Sequence, residues 1–132
     1  MAHKYLDDLG IKFEDTPEGW LQSDNRQEFW LKQREEYGFD ERETWGLDYS
    51  LQLWLYERLS MYNEITEGKI NKIYHTFEYK DEILTQQDCI DKILDNLKYV
   101  LTIDDCEDVI LWGNKYTEVF ELLSLCIGTL WW

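Results

Sequence analysis

Carboxylates are the most abundant side chains in this 132-residue sequence that could take part in binding or catalysis. The chain has 28 Asp and Glu against 13 Lys and Arg, which gives a net charge of −15. Asp88, Asp91 and Asp95 recur at steps of three and four, so on a helix they share one face with neighbours about 5–6 Å apart. A second acidic cluster follows, made of Asp104, Asp105, Glu107 and Asp108. Such groups could hold a metal ion, or could imitate the spaced phosphates of a nucleic-acid strand.

Metal ligation is the weaker of these two interpretations. The sequence has no Glu-x-x-His pair of the kind that helical di-metal enzymes use. Residues 104–108 lack the glycine and the alternating oxygens of an EF-hand loop. The face that carries Asp88, Asp91 and Asp95 points away from the apolar stripe of its helix, where carboxylates are normally solvated. We therefore expect no metal and no other cofactor, and a small metal-dependent hydrolase is only a minor alternative.

Nucleophilic catalysis also lacks its usual residues. There is no Gly-x-Ser-x-Gly motif, the seven glycines form no phosphate-binding loop, and His3 and His75 are the two histidines. We expect His3 to lie at a frayed end and His75 to be an ordinary surface or half-buried histidine. We expect no catalytic residue, and the chain is predicted not to be an enzyme.

The three cysteines form no Cys-x-x-Cys pair, which argues against a zinc ribbon or a thioredoxin-like motif. Cys89 and Cys126 fall at or beside apolar helical stripes, where a thiol packs as a small hydrophobe. Cys106 lies between two acidic residues, which disfavour its thiolate. All three are predicted to be reduced thiols.

Helical periodicity covers most of the chain and determines how these residues are positioned. Asp24 and Gln27 form a capping box for a helix over 24–37, with Gly38 after its end. Further helices are predicted over 47–66, from a Thr85 cap to Leu101, and over 116–130. A short helix capped by Asp104 or Asp105 precedes the last one and is interrupted at Gly113 and Asn114. Residues 69–84 fit either a helix or an alternating strand.

The predicted fold is all-α, a single compact bundle of four to five helices forming one domain over 1–132. Residues 1–23 are predicted to be an irregular N-terminal arm, interrupted by Gly10, Pro17 and Gly19 and anchored by Trp20 and Leu21.

The helix over 47–66 is predicted to be central, because it is apolar on two sides. Its main stripe is expected to contain Leu47, Leu51, Trp54, Leu55, Tyr62 and Ile65, with Tyr49, Leu53 and Tyr56 on the opposite side. Arg58 falls inside the main stripe, so its guanidinium is expected either to reach solvent or to be paired. The favoured interpretation is a structural pair with Asp48 or with a carboxylate of another helix. Structural roles are predicted for Trp45, Leu47, Asp48, Tyr49, Trp54 and Arg58.

Three stretches resemble small acidic proteins encoded by phages and prophages of Gram-positive bacteria. Residues 40–62 begin with an acidic, Arg-containing turn and continue with Thr-Trp-Gly-Leu-Asp-Tyr at the start of a long helix, which resembles that family's Thr-Trp-x-Leu-Asp-Tyr motif. Residues 85–101 are similar to its following helix, and residues 120–132 to its terminal aromatic helix. The N-terminal 39 residues have no counterpart. The resemblance implies a phage context and an all-helical fold, and it assigns no activity.

The negative charge is spread along the chain, with −6 over 1–44, −3 over 45–84 and −6 over 85–132. This argues against direct binding to nucleic acid or to an anionic membrane. No apolar run is long enough to span a bilayer, and the first residues lack the apolar core of a signal peptide. We expect the chain in the cytoplasm of an infected or lysogenic bacterial host.

The favoured hypothesis is a phage-encoded, non-catalytic binding protein of the anti-defence type, an anti-CRISPR or anti-restriction inhibitor. Its acidic surface would occupy the basic site of a host nuclease or another nucleic-acid-binding defence protein. The alternative is a phage structural or replication accessory protein that acts through a homo-oligomeric helical interface. The residues predicted to bind the partner are Asp88, Asp91, Asp95, Asp104, Asp105, Glu107, Asp108, Trp131 and Trp132.

Overall fold

A computed structural model of the chain describes residues 3–20, 25–103 and 108–132. The chain divides into two compact units, Met1–Glu57 and Arg58–Trp132. It is predominantly helical, but the second unit contains a two-stranded antiparallel sheet. The all-α expectation is therefore correct in outline and wrong for this sheet. Several predictions concern residues outside the described ranges, namely those for Leu21, Asp24, Asp104, Asp105, Cys106 and Glu107.

The first unit contains helices α1 (Lys4–Asp8), α2 (Gln27–Tyr37) and α3 (Arg42–Trp45) and the start of α4 (Leu47–Ile65), with a 3₁₀ turn at Phe13–Asp15. The expectation of an irregular arm is wrong where α1 and the 3₁₀ turn form. Leu6 and Ile11 explain the difference, because both side chains are buried and give this charged segment an apolar anchor.

An aromatic cluster organises the first unit. The Trp20 ring stacks on Trp45 at 6.2 Å and on Tyr49 at 6.2 Å between ring centroids. The buried Trp30 meets Trp45 edge-on at 6.0 Å. Tyr49 also donates its hydroxyl to the Asp15 carbonyl at 3.3 Å. Trp45 and Tyr49 thus hold the turn before α4 against the N-terminal segment.

Helix α4 shows only part of the predicted burial on two sides. Leu53, Leu55 and Leu59 are its buried apolar residues. Much of the expected main stripe is exposed instead, namely Leu47, Leu51, Trp54 and Ile65. Arg58 lies on this exposed side, whereas Asp48 is exposed at the helix start about 80° away around the helix. The main stripe is therefore buried at Leu55 and half-buried at Tyr62, and the expectation that its other members pack in the core is wrong.

The second unit contains the end of α4, strands β1 (Thr76–Tyr79) and β2 (Glu82–Thr85), and helices α5 (Gln86–Thr102) and α6 (Val109–Cys126), followed by a 3₁₀ turn at Ile127–Thr129. The strands pair in the register Thr76↔Thr85 to Tyr79↔Glu82. The strand alternative for 69–84 is thus confirmed from residue 76. Tyr79 attaches this hairpin to α6 by donating its hydroxyl to Glu121 Oε2 at 2.6 Å.

The core of the second unit lies between the antiparallel helices α5 and α6. From α5 it takes Cys89, Ile90, Ile93 and Leu97, and from α6 it takes Val119, Leu122 and Cys126. Both cysteines are free and buried, as predicted. Burial raises the pKa of the Cys126 thiol to about 12 and also raises that of Cys89, so both thiols stay protonated.

Helix α6 is continuous from Val109 and shows no break at Gly113 or Asn114, so the predicted interruption is wrong. A glycine inside a helix costs about 1 kcal/mol relative to alanine, and the buried contacts later in α6 offset that cost. The cap is Asp108, which accepts from the Leu111 amide at 2.9 Å, and not the predicted Asp104 or Asp105.

The hairpin turn suggests a stabilising substitution. Lys80 and Asp81 have φ values of 46° and 65°, in the left-handed region that disfavours residues with a Cβ. We expect Asp81→Gly to raise the free energy of unfolding by about 0.5–1 kcal/mol, measured by urea titration. Asp81→Ala removes the same carboxylate but keeps the Cβ, and it should give no such gain. Equal stabilisation by both variants would mean that charge, and not backbone strain, limits the turn.

Candidate functional site

The acidic face of α5 is positioned by a capping box at the helix start. The Thr85 hydroxyl accepts from the Asp88 amide at 3.1 Å, and the Asp88 carboxylate accepts from the Thr85 amide at 2.9 Å. This confirms the predicted cap. The cap ties the first turn of α5 to the end of β2, so the orientation of the carboxylates is fixed by the same core that buries Ile90 and Ile93.

The three carboxylates of this face, here called the acidic row, are Asp88, Asp91 and Asp95, and all are exposed. The Asp91 carboxylate accepts from the Gln87 amide nitrogen at 2.8 Å. Within the described ranges, no ion pair closer than 4.0 Å involves any member of the row. The row therefore presents negative charge to solvent over about 10 Å of helix, at the rise of 1.5 Å per residue.

A buried lysine lies beside one member of the row. Lys72 donates its ammonium to the Asn63 carbonyl at 3.1 Å and to Asn63 Oδ1 at 3.2 Å. Burial lowers the pKa of Lys72, and the charges of Glu67 and Asp91 oppose that shift. Part of the charge of Asp91 is therefore balanced from within the unit, whereas Asp95 extends the row beyond this cation.

Trp131 lines a cleft of about 240 Å³ at the beginning of α5. Gln86, the first residue of α5, forms one wall and donates its side-chain amide to Thr129 at 2.8 Å and 2.9 Å. The remaining lining residues are Ile70, Asn71, Tyr74 and His75. Because Asp88 follows Gln86 by two residues, the cleft and the acidic row share one end of the helix.

The other predicted partner-binding residues do not belong to the acidic row or to the cleft. The exposed Trp132 ring lies 4.7 Å from the Lys69 ammonium, in a cation–π contact. Asp108 lies at the start of α6, which is the opposite end of the α5–α6 pair from Trp131. Asp104, Asp105 and Glu107 lie outside the described residues. Trp131 thus lies near the end of α5 that carries Asp88, but the cleft is on the side of Gln86, and the acidic row is on the opposite side of the helix at 100° per residue. Asp108 lies at the other end of the helix pair.

Sequence patterns missed the cleft residues Asn71, His75 and Gln86. The cleft exists only because α5 contacts the 3₁₀ turn at Ile127–Thr129. This contact includes the hydrogen bond from Gln86 to Thr129, which joins positions 43 residues apart. A usable signal was the polar Gln86 at the start of an otherwise apolar helical face, since a buried amide needs hydrogen-bonding partners.

The first unit contains a second cluster of charged groups, centred on the fully buried carboxylate of Asp40. Arg34 Nε donates to Asp40 Oδ2 at 2.6 Å, and Arg42 donates to both carboxylate oxygens at 2.7 Å and 2.9 Å. The Arg42 guanidinium also lies 4.3 Å from the Trp30 ring and donates to the Trp20 carbonyl at 3.0 Å. Burial alone would raise the pKa of Asp40, but the hydrogen bonds from Arg42 and the charges of both arginines lower it.

His3 belongs to the same charged region and is not frayed, contrary to expectation. Its Nδ1 lies 3.0 Å from Glu57 Oε2 and its Nε2 lies 3.4 Å from Glu18 Oε2. Its ring also stacks on Phe13 at 6.1 Å. Burial alone would lower the pKa of His3, but the hydrogen bond and charge of Glu57 and the charge of Glu18 raise it. Because both arginines and His3 face carboxylates of their own unit, this cluster is best explained as structural.

Two further observations concern metal and membrane sites. Among residues 3–20, 25–103 and 108–132, no group of three His, Cys, Asp or Glu side chains is placed to hold a metal ion. No helix in that part of the chain combines the length and the apolar character needed to cross a bilayer.

The Asp40 cluster can be tested by removing its central charge. We expect Asp40→Asn to lower the free energy of unfolding by about 3 kcal/mol, because two guanidiniums lose their shared buried partner. Asp48→Asn is the same chemical change at an exposed position of α4 and should cost no more than about 0.5 kcal/mol. Urea titration of both variants measures the difference. Similar small losses for the two would show that Asp40 is not a structural anchor.

The contacts of His3 predict a pH dependence of stability. Because its pKa is raised on folding, protonated His3 stabilises the fold fully below its ordinary value of about 6.5. This contribution is lost as the pH rises through the raised pKa of the folded state. We expect the difference in unfolding free energy between the wild type and His3→Gln to shrink over that window. A difference that is constant with pH would contradict the bridge to Glu18 and Glu57.

No protein-family model matches the sequence, and neither a curated protein nor a solved structure gives a match. The function of the chain is accordingly inferred from the acidic row and from the residues that surround it.

Proposed function

We propose that the chain is a phage-encoded, non-catalytic inhibitor whose acidic row occupies the basic, nucleic-acid-binding site of a host defence protein. The target class is a nuclease or a related nucleic-acid-binding protein of a CRISPR or restriction system, in the cytoplasm of an infected or lysogenic bacterial host. The phage context comes from the resemblance of residues 40–62, 85–101 and 120–132 to small acidic phage proteins.

The observation that carries this proposal is the exposure of Asp88, Asp91 and Asp95 without an ion pair among the described residues. Carboxylates that stabilise a fold are usually matched by a cation or by donors, as Asp40 is. The acidic row is matched by neutral local donors at Asp88 and Asp91 and by the buried Lys72 near Asp91. A partner that brings its own cations would gain charge–charge attraction without first breaking an internal ion pair.

The geometry of the acidic row suits a surface that normally binds phosphates. Side chains three and four apart on a helix lie about 5–6 Å from one another, broadly comparable with neighbouring phosphates on a strand. The net charge of −15 would steer the chain towards a basic groove and increase the rate of encounter. A Lys- or Arg-lined groove is therefore the partner surface that the row fits best.

The cleft beside Trp131 is a separate apolar element at the same end of α5, on the side of Gln86, and a partner that reaches around this end could contact both. Exposed tryptophan is common at the centres of binding interfaces, where it supplies a large contact area at low entropic cost. Trp131 is 73% exposed, and the cleft behind it can accept a side chain of the partner. Charge would thus guide association, and burial around Trp131 would add affinity.

The proposal predicts a specific loss of binding when the acidic row is neutralised. Candidate nuclease complexes of restriction and CRISPR systems would be purified and titrated with the wild type and with Asp91→Asn/Asp95→Asn. We expect the double variant to bind about ten-fold more weakly, since two screened charge contacts are worth about 1.4 kcal/mol together. Asp88 is left unchanged because it caps α5.

A matched control separates local from overall charge. Glu35→Gln/Glu36→Gln removes the same two charges from exposed positions of α2 and should bind like the wild type. Wild-type binding should also weaken as salt is raised, and it should compete with the nucleic acid of the nuclease. Equal losses for both variants, binding that does not depend on salt, or simultaneous binding of inhibitor and nucleic acid would each contradict the proposal.

A further inference from the structure

Hydrogen bonds between the two helices of the second unit show which of their residues face each other. At the start of α5, Gln86 donates its side-chain amide to Thr129, in the turn after α6, at 2.8 Å and 2.9 Å. Farther along α5, Asn96 donates to Glu118 Oε2 at 2.7 Å. Moving forward along α5 therefore corresponds to moving back along α6 by about the same number of residues, which defines an antiparallel register.

This register places Cys89 of α5 opposite Cys126 of α6. Cys89 follows Gln86 by three residues, and Cys126 precedes Thr129 by three residues. Both side chains are free and have no exposed surface. Each thiol is also a hydrogen-bonding partner of the other. The two sulfur atoms are thus neighbours inside the core between α5 and α6.

The spacing of packed helices suits a covalent bond between cysteines that face each other. Helix axes in close contact are about 8–10 Å apart, and each Cα lies about 2.3 Å from its own axis. Two facing Cα atoms are then roughly 3.5–5.5 Å apart, and somewhat farther apart when they face obliquely. A disulfide needs a Cα separation of about 4.4–6.8 Å, so the bond can form without separating the helices.

We propose that Cys89 and Cys126 are a dithiol pair that a small disulfide, such as oxidised glutathione, converts into a bond between α5 and α6. The thiolate of one cysteine attacks the small disulfide, forms a mixed disulfide and releases one glutathione. The thiolate of the other cysteine then attacks the protein sulfur, forms the Cys89–Cys126 bond and releases the second glutathione. The two protein sulfurs are oxidised, the glutathione disulfide is reduced, and the two thiol protons pass to the released glutathione thiolates.

Burial determines when this bond forms. A reagent cannot reach either thiol in the closed helix pair, because neither side chain has exposed surface. Exchange therefore takes place during local opening of α5 and α6, or while the chain folds. A chain that folds in a reducing compartment keeps both thiols, whereas a chain that folds in the presence of a small disulfide becomes linked.

The bond stabilises the second unit and leaves the acidic row in place. It closes a loop of about 40 residues, which restricts the unfolded chain. Asp91 lies about 160° from Cys89 around α5, so the row stays exposed in the reduced and in the linked chain. The inference is independent of the proposed function.

The test uses the Cys106→Ser chain, in which Cys89 and Cys126 are the two remaining thiols. One sample is kept folded and a second is refolded from urea, both with oxidised glutathione. We expect mass spectrometry of proteolytic peptides to find Cys89 linked to Cys126, with the higher yield in the refolded sample. The linked chain should have a Tm about 10 °C higher than the reduced chain, and dithiothreitol should abolish this difference.

A matched control keeps two thiols but moves one of them off the contact. In Cys126→Ala/Ser124→Cys, made in the same Cys106→Ser chain, the second thiol is at an exposed position of α6, about 160° around the helix from position 126. After refolding with oxidised glutathione, it should carry glutathione and should show little linkage to Cys89. Circular dichroism verifies that the control keeps its helices.

Three results would overturn the proposal. The first is a refolded Cys106→Ser chain that carries glutathione on Cys89 or Cys126, or stays reduced, without a bond between them. The second is a linked chain with a Tm no higher than that of the reduced chain. The third is a control that links to Cys89 in the same yield, because the bond would then reflect random chain encounters and not the register of α5 and α6.

Discussion

The burial of the apolar side of α5 against α6 is the interaction on which the candidate site depends. Ile90, Ile93 and Leu97 have no exposed surface, and a side chain of this size contributes about 1.5–3 kcal/mol when fully buried. This packing fixes the rotation of α5 about its axis and so forces the acidic row outward. The carboxylates are exposed because of where the core lies, and their spacing follows from the helix.

The sequence predicts the buried face of a helix best when the apolar residues of that helix all lie on one side. In α5 the apolar residues share one face, so the capping box, the buried face and the acidic row were all predicted. In α4 apolar residues occupy two sides, and local periodicity cannot decide which side the rest of the chain covers. The hairpin turn carries Lys80 and Asp81 where Asn-Gly is the usual signal, so periodicity left residues 69–84 undecided.

The Asp40 cluster could not be predicted from the sequence, for a different reason. Its members come from α2, from α3, from the segment between these helices that carries Asp40, and from the backbone at Trp20, and no spacing within one element relates them. A buried carboxylate needs cations and donors from several segments at once, which becomes visible only in three dimensions. The cleft beside Trp131 has the same origin, because Gln86 and Thr129 meet through the packing of α5 on α6. Patterns within single helices predicted the acidic row and could predict neither of these sites.

Salt acts on the acidic row and on the core beneath it in different ways. Attraction between carboxylates and a basic surface is screened by salt, and it weakens as the Debye length falls from about 10 Å at 0.1 M to about 3 Å at 1 M. The burial of Ile90, Ile93 and Leu97 does not depend on charge. Raising the salt concentration is therefore expected to reduce the attraction of the row for cations without moving its carboxylates, because the apolar contacts that hold α5 in place are unaffected.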